Sequence, residues 1–434
     1  MAKLGLLPAD GPAIETAVDT DSLIRSILFI AVFLSVWISF HPFPDLSEPP
    51  LQITEAGDLG KEIGFLVLFL LLALWSLFHE PTRLQLLVRP AMIVTLVWCG
   101  VTVLASWQPS LAASRFAFTL GNMGMATMVL LLPKNVRHFS DLMTVAVLIV
   151  LAVCYIGVFL APSFAIHQLT DFAEPEHAGD WRGVFTNKNE AGATMVQFIF
   201  IGLFVARMRS LALGGAIITL ATTFLIFTQS KTAIGILPVV LIISAVLART
   251  RRPVMGIAIA ISVVVMINLF SVGSVYFEPI HDMIASILPD PSFTGRTEIW
   301  QFALQHLAER PITGYGISAF WGTEQVVYGL SGDNWANIAV NAHNGYLDIA
   351  LIIGIPGLAL VIAWIVVLTL ADYYRVPYAP HLQPLKAFFL QVCLYGIYAS
   401  CFETAIFPYV GGERFLLMIA VFGLRYLSVS RAAI

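Results

Sequence analysis

Apolar residues in this chain gather into long uninterrupted runs, set apart by short polar connections rich in Pro, Gly and charge. Runs long enough to cross about 30 Å of hydrocarbon fall near 23–40, 62–79, 89–106, 113–132, 140–161, 190–207, 211–228, 231–249, 253–271, 344–371, 385–402 and 412–428. The pattern predicts an all-α polytopic membrane protein with about 12 transmembrane helices. It divides the chain into a tail at 1–22, a bundle of nine spans at 23–271, a large loop at 272–343 and three further spans at 344–434.

Composition agrees with this division. Of the 434 residues 58% are hydrophobic and 12% charged, with mean hydropathy +0.85, about half the charge of a soluble domain. A water-soluble globule is excluded. The net charge of −4 gives no reason to expect a nucleic-acid partner. Cys99, Cys154, Cys393 and Cys401 all lie inside apolar runs and read as buried inert thiols. The acidic residues Asp10, Glu15, Asp19 and Asp21 before the first run are unlike the basic leader of a cleavable signal peptide, so a short tail is expected there.

Charge sets the expected orientation. One set of connections, together with both termini, carries 15 of the 23 basic residues, the cluster Arg249, Arg251 and Arg252 among them, and seven of the 27 acidic ones. By the excess of Lys and Arg in cytoplasmic loops, that set faces the cytoplasm with both termini, and the opposite set faces outward.

Three outward segments are more than turns: 41–61, which is Pro-rich and acidic, 162–189 and 272–343. Such loops on a rigid scaffold are where chemistry is expected. Within the largest, GRTEIWQFALQHLAER (295–310) predicts a helix too short to span, with Ile299, Ala303 and Leu307 on one face and the membrane interface as its place. Arg296 sits in its first turn, where free N–H groups favour an anion, and Glu298 follows. PITGYG (311–316) comes next, and the loop closes on Asn341-Ala-His343-Asn344, directly before an apolar run. In the second segment WRGVFTNKNEAG (181–192) carries Arg182 and Lys188, with Asn187 or Asn189 placed to cap the following helix. Lys231 stands at the outward end of its own run.

Basic residues on an otherwise acidic outward face point to an anionic ligand at that depth, such as a lipid-linked phosphate or pyrophosphate. Plainer readings stand beside this one. A lone outward arginine also serves as an interfacial anchor, His343 and Asn344 both fit a helix cap, and Glu298 and Asp348 fit solvated or paired carboxylates. No Asp-x-Asp or His-x-x-His spacing occurs in the outward loops, so no metal is expected. No cofactor is implied either. Neither an internal repeat nor an inverted pair of broken helices is apparent, and charges fall at run ends rather than mid-span, which counts against a transporter.

In the segment HNGYLDIALIIGIPG nine residues separate His343-Asn344 from Gly354, and two more precede Gly357. With GRTEIW, PITGYG, WRGVFTNKNEAG and the large outward loop, this resembles the O-antigen ligase and Wzy-type polysaccharide polymerase superfamily over about residues 180–370. The resemblance implies a GT-C-like, metal-independent glycosyltransferase of the bacterial inner membrane, acting at its periplasmic face. It implies a donor oligosaccharide on undecaprenyl pyrophosphate, and as acceptor either a second lipid-linked glycan or lipid A-core. By the same resemblance Arg182 and Arg296 bind pyrophosphate, with Lys231 a further candidate, and His343 is the general base, supported by Asn344, Glu298 and Lys188. A chain-length regulator protein is a further candidate partner, and membrane lipids surround the whole.

The tract RGVFTNKNEAG looks more like exopolysaccharide polymerases of the succinoglycan type. Polymerisation of lipid-linked repeat units is therefore the leading expectation. The alternatives are ligation to lipid A-core and, outside enzymes, a lipid-linked-glycan flippase or transporter.

Overall fold

The computed structural model describes residues 20–38, 42–47, 59–172, 174–287, 292–293, 295–323, 326, 339–406 and 411–430. The expected tail at 1–22 therefore lies outside the described residues except for its last three. Among the described residues the chain is helical and forms no strand; one isolated antiparallel bridge joins Ile166 and Trp181. The helices are α1 (Thr20–Trp37), α2 (Leu59–His79), α3 (Pro81–Leu87), α4 (Pro90–Leu104), α5 (Pro109–Val129), α6 (Val136–Leu160), the single turn α7 (Pro162–Ala165), α8 (Lys188–Met208), α9 (Leu211–Thr228), α10 (Lys231–Arg249), α11 (Pro253–Phe270), α12 (Glu278–Ile287), α13 (Arg296–Glu309), α14 (Gly345–Val361), α15 (Thr369–Arg375), α16 (Gln383–Ala399) and α17 (Gly412–Val429). A π-helical stretch, Ile362–Leu368, joins α14 to α15.

A helix overlies each of the twelve predicted runs. By length and apolarity seven of the described helices can cross a membrane, or eight if the pair α2 and α3, bent by 110°, counts as one span. Among the others, α4 has 15 residues and α16 has 17, each short of the ~20 that a perpendicular span requires.

Local chemistry explains the boundaries. Pro81, Pro90, Pro109 and Pro253 each open a helix, where a missing N–H costs nothing and the fixed φ already suits the helix. Side chains of Asn135, Asn187, Ser210 and Asn344 cap α6, α8, α9 and α14 by accepting an N–H of the first turn. Helices α8 and α16 form the centre of the bundle, with most of their residues buried. Helices α8 and α9 approach closely because Gly214 faces the backbone of Ala206 and Gly202, where a Cβ would collide. Small residues at such crossings let helices associate when lipid offers no hydrophobic gain.

The run expected at 344–371 forms one candidate span, Gly345–Arg375, with a break inside it. Gly354 adopts φ +73° and ψ 172° and breaks α14, a combination open almost only to glycine. The break frees carbonyls that must find other donors at this depth. PITGYG supplies them: Tyr315 N donates to Leu351 O and Gly316 N to Ile352 O, each at 2.9 Å. Trp98 Nε1 donates to Ile353 O at 2.8 Å, and Ile355 N returns a bond to Pro311 O at 2.8 Å. Residues 311–316 are thus stitched into the break in α14. At the opposite end of α14 and α15 a buried ion pair, Arg89 Nη2 to Asp372 Oδ1 at 2.7 Å, ties the start of α4 to α15.

Candidate active site

The start of α14 is fixed from three sides. Asn344 Oδ1 accepts from Leu347 N at 3.0 Å, while its Nδ2 donates to Asn268 Oδ1 at 2.8 Å and Cys401 O at 3.0 Å. Every polar atom of that buried amide is used, which makes Asn344 a cap and a tether to α11 and α16. Asp348, fully buried one turn on, accepts from Ala342 N at 2.9 Å, from Trp321 Nε1 at 2.8 Å and from Thr404 Oγ1. One carboxylate therefore gathers the segments around residues 321, 342 and 404, and the paired structural reading of Asp348 holds. Trp300 Nε1 of α13 donates to Ala342 O at 2.9 Å, so α13 also grips the residue before His343.

These contacts aim His343. Its φ of +46° is left-handed, a strained value for a side chain of this size. The turn is closed by Asn341 Oδ1, which accepts from His343 N at 2.8 Å. The imidazole keeps 30% of its surface, and its Nδ1 stands 3.2 Å from Glu403 Oε2. Arg296, the first residue of α13, donates from Nη2 to Glu403 Oε1 at 2.9 Å and from Nη1 to Phe402 O at 2.7 Å. One carboxylate thus joins the arginine of one predicted motif to the histidine of another.

Burial pushes the Glu403 carboxyl up, but the His343 hydrogen bond and the charge of Arg296 outweigh it and hold the group below its ordinary value. An ionised carboxylate only accepts. In the neutral imidazole this contact puts the proton on Nδ1 and leaves Nε2 as the acceptor. Glu403 was missed by the sequence reading. The signal was present: a lone acid directly after the apolar run 385–402 at its outward end.

Arg182, Lys188 and Lys231 lie at the starts of α8 and α10 or just before α8. Asn187 Oδ1 caps α8 by accepting from Glu190 N at 2.9 Å, and Asn189 Oδ1 accepts from Ser230 Oγ at 3.0 Å, which sets the start of α8 against the start of α10. Lys188 is half-buried on Asp180 at 2.7 Å. Lys231, first residue of α10, is exposed. Arg182 is 1% exposed; its Nη1 donates to Phe185 O at 3.0 Å and its Nη2 to Pro44 O at 2.7 Å. Arg182 thus clasps the segment at Pro44 to its own turn at 182–185. Glu298 is exposed in the first turn of α13. Glu403 thus joins Arg296 to His343, while Arg182 bonds backbone carbonyls and Lys188 pairs with Asp180. Glu413 at the start of α17 is within electrostatic range of Glu403 and of Glu190.

Beside the site lies an apolar crevice of about 520 Å3 between α11, α14 and Leu307 of α13. Asn268 and Asn344 stand at its polar end, and Val265, Leu269 and Ile355 of its wall are exposed on the bundle's outer surface. Among the described residues no group of three or more His, Cys, Asp or Glu side chains is arranged to hold a metal ion.

Helical throughout its described residues, the molecule is a polytopic membrane protein with a His–Glu–Arg site at one end of a broken helix. Residues 215–362 match the family described as O-antigen ligase, Wzy_C. A candidate polysaccharide ligase of Rickettsia conorii is 32% identical over 120 residues, 26% of this chain and 29% of that one, and a namesake in Rickettsia felis matches to the same extent. The exopolysaccharide production protein ExoQ of Rhizobium meliloti is 25% identical over 195 residues, 41% and 43% of the two chains. The match thus spans less than half the length of each of these relatives. The family segment includes Lys231, Arg296, His343 and Gly354; Arg182, Lys188 and Glu403 lie outside it.

Proposed function

We propose that this protein is a metal-independent, GT-C-like glycosyltransferase that polymerises undecaprenyl-pyrophosphate-linked repeat units into an exopolysaccharide or O-antigen-like chain. The observation that carries the reading is the Arg296–Glu403–His343 arrangement, set beside an apolar crevice at a helix end. His343 Nε2 takes the proton of the acceptor hydroxyl, and the acceptor oxygen bonds to the anomeric carbon of the donor sugar. The bond from that carbon to the pyrophosphate oxygen breaks, and its electron pair leaves with undecaprenyl pyrophosphate. Arg296 meets the growing charge with a planar fork that suits phosphate oxygens. The crevice takes the first isoprenoid units of the carrier, whose remainder lies in lipid. Asn344 holds His343 in place, while Glu298, Lys188, Lys231 and Arg182 border the sugar and phosphate path.

In this reading the site faces the periplasm from the inner membrane, twelve spans carry it and both termini are cytoplasmic. Residues 272–343 form the outer lobe over the bundle. The 15-to-8 split of basic residues between the two faces supports that orientation.

Ligation to lipid A-core is the second reading, favoured by the family description and the Rickettsia relatives. The longer match to an exopolysaccharide production protein favours polymerisation. The test is to supply purified protein with the lipid-linked repeat unit alone. A polymerase, using one molecule as donor and acceptor, makes a ladder of lengthened glycans. Silence until lipid A-core is added would give the protein to the ligase reading.

A further inference from the structure

Glu403 serves two partners with one carboxylate. Oε1 is taken by Arg296 and Oε2 by His343, and the second terminal nitrogen of Arg296 is held on Phe402 O of the same segment. The site therefore has its cation and its base bridged through a single anion, and both terminal nitrogens of the guanidinium are bonded before any ligand arrives. Arginine binds a phosphate best with two parallel N–H groups. A pyrophosphate that draws that fork toward itself draws it away from Glu403.

We propose that Glu403 is a positioning residue that couples donor occupancy to the basicity of His343. With the site empty, Arg296 neutralises much of the carboxylate's charge, and His343 feels a weak anion. When a pyrophosphate engages Arg296, Glu403 is left to His343 alone. The imidazole then becomes a stronger base, because the imidazolium formed on taking the acceptor proton has a full carboxylate to stabilise it. The balance is simple: one proton moves from the acceptor hydroxyl to Nε2, Nδ1–H stays hydrogen-bonded to Glu403, and no proton passes to the carboxylate. The device makes the base competent only when a donor is present to receive the nucleophile.

The charged groups around His343 are few enough to assign the effect. Asp348, on α14, lies within electrostatic range of it but already accepts three bonds from Trp321, Ala342 and Thr404. From α17, Glu413 interacts with Glu403, and Arg414 Nε is held on Thr404 O at 2.8 Å. Among the described residues Arg296, at the start of α13, is the cation bonded to the carboxylate that also holds the histidine.

The inference rests on reading Arg296 as a pyrophosphate ligand, and its test separates the two. Full-length protein in nanodiscs, labelled at histidine with 13C and 15N, is titrated with pH with and without inorganic pyrophosphate. The His343 signal is identified by its loss in His343→Gln, and binding is followed on the 31P resonance. Pyrophosphate should raise the His343 midpoint by about one pH unit in the wild type and leave it nearly unmoved in Glu403→Gln. Arg296→Ala, without pyrophosphate, should already show a raised midpoint, so the account is tested even if the Gln variant does not fold. An equal rise in wild type and Glu403→Gln would assign the shift to the anion's own field and overturn the coupling. A midpoint unchanged in Arg296→Ala would overturn it as well. Absence of any 31P response would instead defeat the pyrophosphate reading, and the coupling with it.

Discussion

The backbone carbonyl of Ile312 occupies the space that a side chain on Gly354 would need. This contact explains why a glycine stands eleven residues after His343: the break it permits admits PITGYG into the helix and fixes the loop that faces the active site.

Gly354→Ala should therefore cost about 2 to 4 kcal/mol, from the glycine-only backbone angles together with the collision. It should lower the thermal midpoint in detergent and reduce activity without touching any polar group of the site. A variant as stable as the wild type would mean that the loop docks elsewhere.

The apolar runs were legible because length and hydropathy alone set them, and a helix overlies every one. His343-Asn344 was legible because polar residues are conspicuous before an apolar run. Glu403 was not, since its partners lie 60 and 107 residues away along the chain and no local spacing announces such a pairing. The inward turn of Arg182 was hidden for a related reason. Whether a loop arginine faces ligand or carbonyls depends on where Pro44 comes to rest, 138 residues earlier. The break at Gly354 lay within a recognised motif, but its cause needed the position of Ile312.

Arg182 bridges Phe185 O and Pro44 O, so Arg182→Ala should loosen the second outward loop as well as lower activity. Limited proteolysis of intact vesicles from the outward side should cut within 174–187 far faster in the variant. Lys at 182 should rescue poorly, since one ammonium cannot span both carbonyls as the fork does. Unchanged proteolysis with lost donor binding would assign Arg182 to the ligand alone.

The two arginines should separate in a donor-binding assay. Arg296→Lys keeps a charge but loses the fork, and a fall of about 100-fold or more in turnover is expected with the protein still folded. Full activity of Arg296→Lys would reduce Arg296 to a charge anchor.

Acid should expose the Glu403 network. Its folded pKa lies below the ordinary 4.5, so its contribution to stability is present above about pH 4.5 and is lost as pH falls through the folded value. Thermal midpoints measured from pH 6 downward should drop less steeply in Glu403→Gln than in the wild type. Parallel curves would show that the carboxylate contributes nothing to the fold.

Orientation is open to a direct probe, because all four native cysteines are buried. A cysteine at the exposed Asp282 should react with an impermeant thiol reagent added outside intact cells, and one at Arg251 should not. The reverse would turn the site to the cytoplasm and remove it from a periplasmic donor.

The central claim is that His343 is the base and Arg296 holds the donor. The most direct measurement is the rate of undecaprenyl pyrophosphate release from the lipid-linked repeat unit, set beside donor binding in the same preparations. His343→Ala should slow release by roughly 100- to 10,000-fold while donor binding stays near the wild-type level. Release at the wild-type rate from His343→Ala would contradict the account and leave the histidine as part of a helix cap.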